Sequence, residues 1–155
     1  MGKGNKKFID ILYKYIDNLC KLFMVLQVLI VSRVVFGRFI LNKTPAWGEE
    51  LALLCMVWFS LLSASLAVKN NAHIRISVID SFLSEKALKV MHSMYFIFML
   101  VFSIFMLVEG TKLSLLTLRS IMPGTGISIS WLYLSVPVSG LAMLLTLIGK
   151  GREIA

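Results

Sequence analysis

A chain of 155 residues that is 58% hydrophobic, with a mean hydropathy of +0.85, carries only 16 basic and 8 acidic side chains. That is thin cover for a water-soluble sphere and ordinary for a protein whose outer surface is lipid. The net charge of +8 is not a nucleic-acid footprint, because the basic residues form no aromatic-interleaved patch; they sort by side of a membrane, where anionic lipid is the simpler partner.

Residues 7–21 predict an amphipathic helix. Phe8, Ile9, Leu12, Tyr13, Ile16, Leu19 and Cys20 recur at helical spacing, and Asp10, Lys14, Asp17 and Lys21 form the opposite stripe with Asp–Lys pairs four apart. Such a helix is expected to lie on the inner membrane surface, or on a partner, before turning or continuing into the first span. The N-terminus does not read as a signal peptide. Its first apolar run ends in Arg38 and Lys43 with no small-residue cleavage site.

Four spans follow, at about 22–41, 50–68, 88–110 and 129–148, each near the roughly 20 apolar residues that a bilayer core requires. Span 1 is interrupted by Arg33 and Arg38, and a charge at a helix centre costs about 2.5–3.5 kcal/mol on insertion scales. Arg38 lies near the outer end. Arg33 lies roughly 7.5 Å deeper at 1.5 Å per residue. Glu49 and Glu50, across the turn Asn42 to Gly48, are the natural acids, and Arg38 is expected to pair with Glu50; snorkelling to lipid phosphate is the alternative. Pro45 starts span 2 and Trp47 suits the interface. Glu49 and Glu50 suit the positive end of the helix dipole.

Ser60, Ser63, Ala64, Ser65 and Ala67 give span 2 a small-residue face, which in lipid marks close helix packing. Ser81 or Ser84 is offered as the N-cap of helix 3. That helix is expected to stay regular past Glu109 and Lys112, an i,i+3 pair, to about Leu118. Met122-Pro123-Gly124-Thr125-Gly126 breaks the chain. Span 4 starts near Ser130-Trp131, and Pro137 and Gly140 predict a kink.

Eleven of the 16 basic residues fall on the side of the termini and the 69–89 loop. By the excess of Lys and Arg that side is cytoplasmic. The expected protein is thus all-α: a single polytopic membrane domain over 1–155, with four transmembrane helices plus an N-terminal amphipathic helix and both termini cytoplasmic. The cysteines, Cys20 and Cys55, read as apolar packing residues rather than a disulfide or metal pair. His73 in a loop and His92 at the start of span 3 lack the neighbours of a haem or zinc site. No nucleophile–base pairing, phosphate loop or carboxylate dyad lies in the spans, so an enzyme is not indicated. Spans 2 to 4 hold no ionisable residue at the midplane, where a self-sufficient transporter binds cargo. A scaffold or accessory subunit remains. A small multidrug or ion transporter acting as an oligomer, and a membrane-anchor subunit of a respiratory enzyme, stay open as alternatives.

Three ordered motifs narrow this. Arg38-Phe39, then Trp47-Gly48-Glu49-Glu50-Leu51, then Lys69-Asn70-Asn71-Ala72-His73-Ile74 follow the pattern R-Y/F … W-x-E-E-L … K/R-x-x-x-H-I. With the Pro123-Gly124 turn, Trp131 and Pro137, the chain from about Tyr13 to Ile148 resembles the small (Q-type) membrane subunit of TRAP transporters, the tripartite ATP-independent periplasmic systems. The resemblance implies a subunit of the bacterial inner membrane that stabilises a large, elevator-type membrane subunit, served by a periplasmic substrate-binding protein. It implies sodium-driven import of a C4-dicarboxylate, sialic acid or similar carboxylate. Substrate and sodium sites would belong to the large subunit, so no cofactor, metal or substrate site is assigned to this chain. Structural, subunit-interface or lipid roles fall to Arg33, Arg38, Trp47, Glu49, Glu50, Ser63, Ala67, His73 and Trp131.

Overall fold

A computed structural model describes residues 3–43, 45–69 and 85–154. Among them are five α-helices and no strand: α1 Lys3–Phe39, α2 Ala46–Lys69, α3 Glu85–Leu116, α4 Ser130–Tyr133 and α5 Ser135–Ile154. Ile121 and Ser128 form an isolated bridge. The stretches Ile11–Phe39, Ala46–Lys69, Ser93–Leu116 and Ser130–Ile148 are each long and apolar enough to cross a membrane. The fold is the all-α, four-span architecture expected from the apolar runs. The loop carrying His73, and the offered N-caps Ser81 and Ser84, lie outside the described residues, as does the side chain of His92.

The amphipathic segment is not a separate helix. It is the first half of α1, which runs unbroken for 37 residues, about 55 Å at 1.5 Å per residue. No Gly or Pro interrupts residues 5–36, so nothing in the chain favours a bend. Its apolar stripe docks within the molecule: Tyr13, Ile16 and Cys20 are buried in one cluster with Leu62 of α2 and Ala142 of α5. On the polar stripe Lys21 Nζ and Asp17 Oδ2 are 2.6 Å apart, an exposed pair four residues apart.

α1 ends in a left-handed cap. Asn42 has φ 47°, and the Lys43 N–H donates to the Gly37 carbonyl, six residues back, at 3.0 Å, closing a short turn that reverses the chain. α2 then runs antiparallel to α1. Lys69 Nζ lies 4.8 Å from the Tyr13 ring centre, the Phe23 and Trp58 rings stack at 5.9 Å, and Gly48 lies against Val34. α3 and α5 form a second antiparallel pair, and α2 joins the pairs through its contacts with α5. A second buried cluster, Val68, Met106, Met143 and Leu147, fills that junction.

Span 4 is divided at Leu134, between α4 and α5. Proline has no amide to donate to the carbonyl four residues back, which for Pro137 is Tyr133, and there α4 stops and α5 begins. α3 ends at Leu116, two residues short of the expected Leu118, because Thr117–Arg119 already turn toward the next segment. The start of α1 and the end of α5 lie at the end of the bundle that also holds Lys69. The α1–α2 turn and the 117–129 segment form the opposite, hairpin end.

Candidate functional site at the hairpin end

The segment between α3 and α4 is a small built unit. The Met122 N–H donates to the Ile127 carbonyl at 2.9 Å, the Gly126 N–H to the Met122 carbonyl at 2.8 Å, and the Ile129 N–H to the Ser120 carbonyl at 2.8 Å. Pro123 fixes its own φ, and Gly126 takes φ +72°, which a residue with Cβ rarely adopts. Ser128 ties the unit to the end of α3 by donating to the Leu118 carbonyl at 2.8 Å. Such hydroxyl-to-carbonyl bonds satisfy acceptors that the helix leaves open at its C-terminus.

Glu50 clamps this unit to the start of α2. Its Oε1 accepts the Gly124 N–H at 2.8 Å, and its Oε2 accepts the Thr125 N–H at 2.7 Å and the Thr125 hydroxyl at 2.8 Å. Bonds to a carboxylate are stronger than neutral ones, and two successive backbone amides match its two oxygens. The turn also seats against the helix N-terminus. A Cβ on Gly124 would lie 2.5 Å from the Ala46 carbonyl oxygen and 3.0 Å from the Trp47 nitrogen. Only glycine allows that approach.

This corrects the expected pairing of Arg38 with Glu50. The two share no hydrogen bond or ion pair among the described residues, because the Glu50 carboxylate is taken by the 124–125 amides. Arg33 and Arg38 are both exposed on α1, and Glu49 is exposed in the first turn of α2. Trp47 is 40% exposed and Trp131 58% exposed, and the Trp131 carbonyl accepts the Trp58 indole N–H at 2.9 Å. At the far end of the bundle Tyr13 is buried and donates its hydroxyl to the Ala142 carbonyl at 2.9 Å, with the Thr146 hydroxyl in contact.

The small-residue face of α2 divides in two. Ser65 is buried and Ala64 packs on the second cluster. Ser63 and Ala67 are half-buried and share the opposite flank with exposed Met56 and Ser60, at the helical spacing 56, 60, 63, 67. Missed from the sequence were Gly124 and Thr125 as partners of Glu50. The Pro-Gly-Thr-Gly turn carried the signal, since two adjacent amides freed by a tight turn make an anion cradle.

The buried polar groups among the described residues are hydroxyls: Ser65, Ser103, Ser114, Ser130, Ser135, Ser139 and Thr146, with Tyr13. Lys112 Nζ and Glu109 Oε1, 2.7 Å apart, are an exposed pair. No group of three or more His, Cys, Asp or Glu gathers in metal-binding range among the described residues. The free cysteines, Cys20 and Cys55, are buried.

Comparison with known proteins agrees with this architecture. The family model for tripartite ATP-independent periplasmic transporters, DctQ component, matches residues 27–154. The chain is 29% identical over 133 residues to a protein of Haemophilus influenzae assigned as a TRAP transporter small permease, spanning 83% of this chain and 81% of that one. It is 31% identical over 106 residues to the sialic acid TRAP transporter small permease protein SiaQ of Vibrio cholerae, spanning 68% of this chain and 61% of that protein. With four apolar helices, it is a multi-pass protein of the bacterial inner membrane, and a transporter component rather than an enzyme. The chain belongs to the family of small membrane components of TRAP transporters, the DctQ component.

Proposed function

We propose that this chain is the stationary scaffold subunit of a sodium-driven importer of an organic acid, a C4-dicarboxylate, a sialic acid or a similar carboxylate. In this reading it holds a large elevator-type membrane subunit that carries the sodium and substrate sites and receives cargo from a periplasmic binding protein. The observation that carries the reading is the chemistry of the interior. The buried polar groups among the described residues are hydroxyls, most of them bonded to helix carbonyls. A carboxylate cargo calls for cationic or amide donors, and sodium for a cage of oxygens with negative charge close by. Among the described residues neither arrangement stands between these helices, whereas apolar side chains cover the outer faces of α1 and α3.

The outward flank of α2 is the proposed contact with the large subunit, since small residues let helix backbones approach closely in lipid. Arg38, Trp47, Glu49, Glu50 and Trp131 serve the hairpin end in this reading, and His73 serves the loop between α2 and α3. The test is co-purification in mild detergent with the large subunit, followed by uptake in proteoliposomes supplied with the binding protein and an inward sodium gradient. Ser63→Leu and Ala67→Leu are expected to reduce the recovered large subunit several-fold, and uptake is expected only when both subunits are present. Undiminished recovery with both variants would remove the α2 flank from the interface. Full uptake by the large subunit alone would remove the scaffold role.

A further inference from the structure

The four long helices carry their charges at different heights. α1 packs on α2, α2 on α5 and α5 on α3, and no comparable contact joins α1 to α3 among the described residues, so α1 and α3 are the outer helices. Val34 lies against Gly48, and Lys69 Nζ lies over the Tyr13 ring, which fixes the antiparallel register of α1 and α2 at both ends. In that register Lys21 is level with Leu61, about 12 Å from the Lys69 level at 1.5 Å per residue. The exposed Asp17–Lys21 pair therefore stands beside the apolar run of α2. On the other edge Gly110 abuts Pro137, so the exposed Glu109–Lys112 pair stands about 7.5–12 Å inward of Ser130, where α4 begins. Large apolar side chains are displaced in the opposite sense. Phe39 and Ile40 of α1 are exposed about 10 Å past the level of Glu49. In the register set by Gly140 against Met106, Val90 and Met94 of α3 are exposed about 5–10 Å past the level of Lys69.

The two middle helices hold charge-free runs, Leu51–Val68 and Ser130–Gly149, at matching heights, since Leu62 and Ala142 share one buried cluster and Val68 and Leu147 the other. A bilayer set square to the helices at those runs would place both ion pairs in hydrocarbon and all four apolar side chains in water, each at a cost. The displacements have opposite sign on the two edges, so one rotation removes them all. We propose that the molecule sits obliquely in the bilayer, with the lipid layer crossing α1 nearer the hairpin end and α3 nearer the Lys69 end. A shift of about 5–10 Å at each edge, over about 20–25 Å between α1 and α3 for neighbours 8–10 Å apart, is a tilt of about 25–40°, within the range of membrane helices. Tyr15 of α1 and Leu116 of α3, both exposed, then fall in the headgroup layers. Arg33 fits the same seat. Its Cα enters the layer, while Nη1 reaches one turn toward the hairpin end, 3.6 Å from where a methyl on Gly37 would lie, and so brings the charge to the edge. A polar partner surface over the two ion pairs would leave the four apolar side chains in water.

The test is the depth of spin labels on the full chain in vesicles of phosphatidylethanolamine and phosphatidylglycerol, read as collision with oxygen against a water-soluble nickel chelate. Single cysteines replace residues at equal height in the fold, in a background with Cys20 and Cys55 replaced by Ala, and both ion pairs are kept. Asn18→Cys on α1 is compared with Ser63→Cys on α2, and Thr111→Cys on α3 with Met56→Cys on α2. In each pair the edge label is expected about 5–10 Å nearer water, with several-fold more nickel collision, and Phe39→Cys and Met94→Cys are expected to favour oxygen. Equal depth within either pair, or nickel-accessible labels at Phe39→Cys and Met94→Cys, would overturn the proposal. The unlabelled parent chain gives a second reading that no variant can disturb. Polarised infrared absorption of aligned bilayers is expected to report a mean helix tilt of about 25–40°, and a mean below about 15° would overturn the proposal as well. Neither measurement depends on which cargo is carried or on whether the chain acts as a scaffold.

Discussion

Glu50 is where the sequence and the three-dimensional contacts differ most usefully. Within W-x-E-E-L, Glu49 and Glu50 look equivalent, and the neighbouring arginine looks like their partner. In the fold Glu49 is exposed while Glu50 accepts three donors from a turn 74 and 75 residues away. A carboxylate held by two backbone amides and a hydroxyl is replaced poorly by an amide side chain, which has one acceptor oxygen rather than two. Glu50→Gln is therefore expected to speed hydrogen exchange at the Gly124 and Thr125 amides and to lower the melting temperature, with Glu50→Ala stronger in both. Glu49→Gln should leave both amides as protected as in the parent chain. Equal exchange in all three variants would show that the glycine contacts alone hold the turn.

At the scale of elements, the pair α3–α5 is held by close approach rather than by bulk. A Cβ on Gly110 would lie 2.8 Å from both Pro137 Cδ and Val136 Cγ1. Ser114 and Ser130 then bond hydroxyl to hydroxyl at 2.8 Å. Toward the other end, Gly140 fits against Met106, Leu107 and Ser103, where a Cβ would meet atoms at 3.0–3.1 Å. Gly110→Ala is expected to destabilise the bundle by about 1–3 kcal/mol, the usual penalty of overpacking, as measured by reversible denaturation in detergent. Ala52→Gly, on half-buried α2, is expected to act only through helix propensity, about 1 kcal/mol or less. A Gly110→Ala penalty no larger than that would contradict the close contact. Much of this scale was legible beforehand. The spans follow from long apolar runs, charge-free in all but the first, and the break before Pro137 follows from a missing amide. The α3–α5 register was not legible, because Gly110 sits beside Glu109 in a stretch that reads as the polar end of a span. Its meaning depends on Pro137 facing it. The division of the small-residue face of α2 was equally hidden, since a small side chain suits both an inner and an outer contact.

At the scale of the molecule, the two helix pairs place the start of α1, the end of α5 and Lys69 at one end, and Lys43 and the 117–129 unit at the other. By the excess of Lys and Arg, the first end is expected on the cytoplasmic side. A cysteine at Lys43, in a background with Cys20 and Cys55 replaced by Ala, is expected to react with a membrane-impermeant maleimide added outside whole cells. A cysteine at Lys150 should react only after lysis, and the reverse pattern would invert the topology. The central claim is that this bundle stays still while its partner carries cargo. Ser114 and Ser130, whose hydroxyls meet across α3 and α4, offer a direct test. In the same background, Ser114→Cys with Ser130→Cys is oxidised to a disulfide, and sodium-driven uptake is measured in proteoliposomes before and after reduction. A stationary scaffold predicts equal initial rates in the two states; uptake that stops on oxidation and returns with reductant would contradict it.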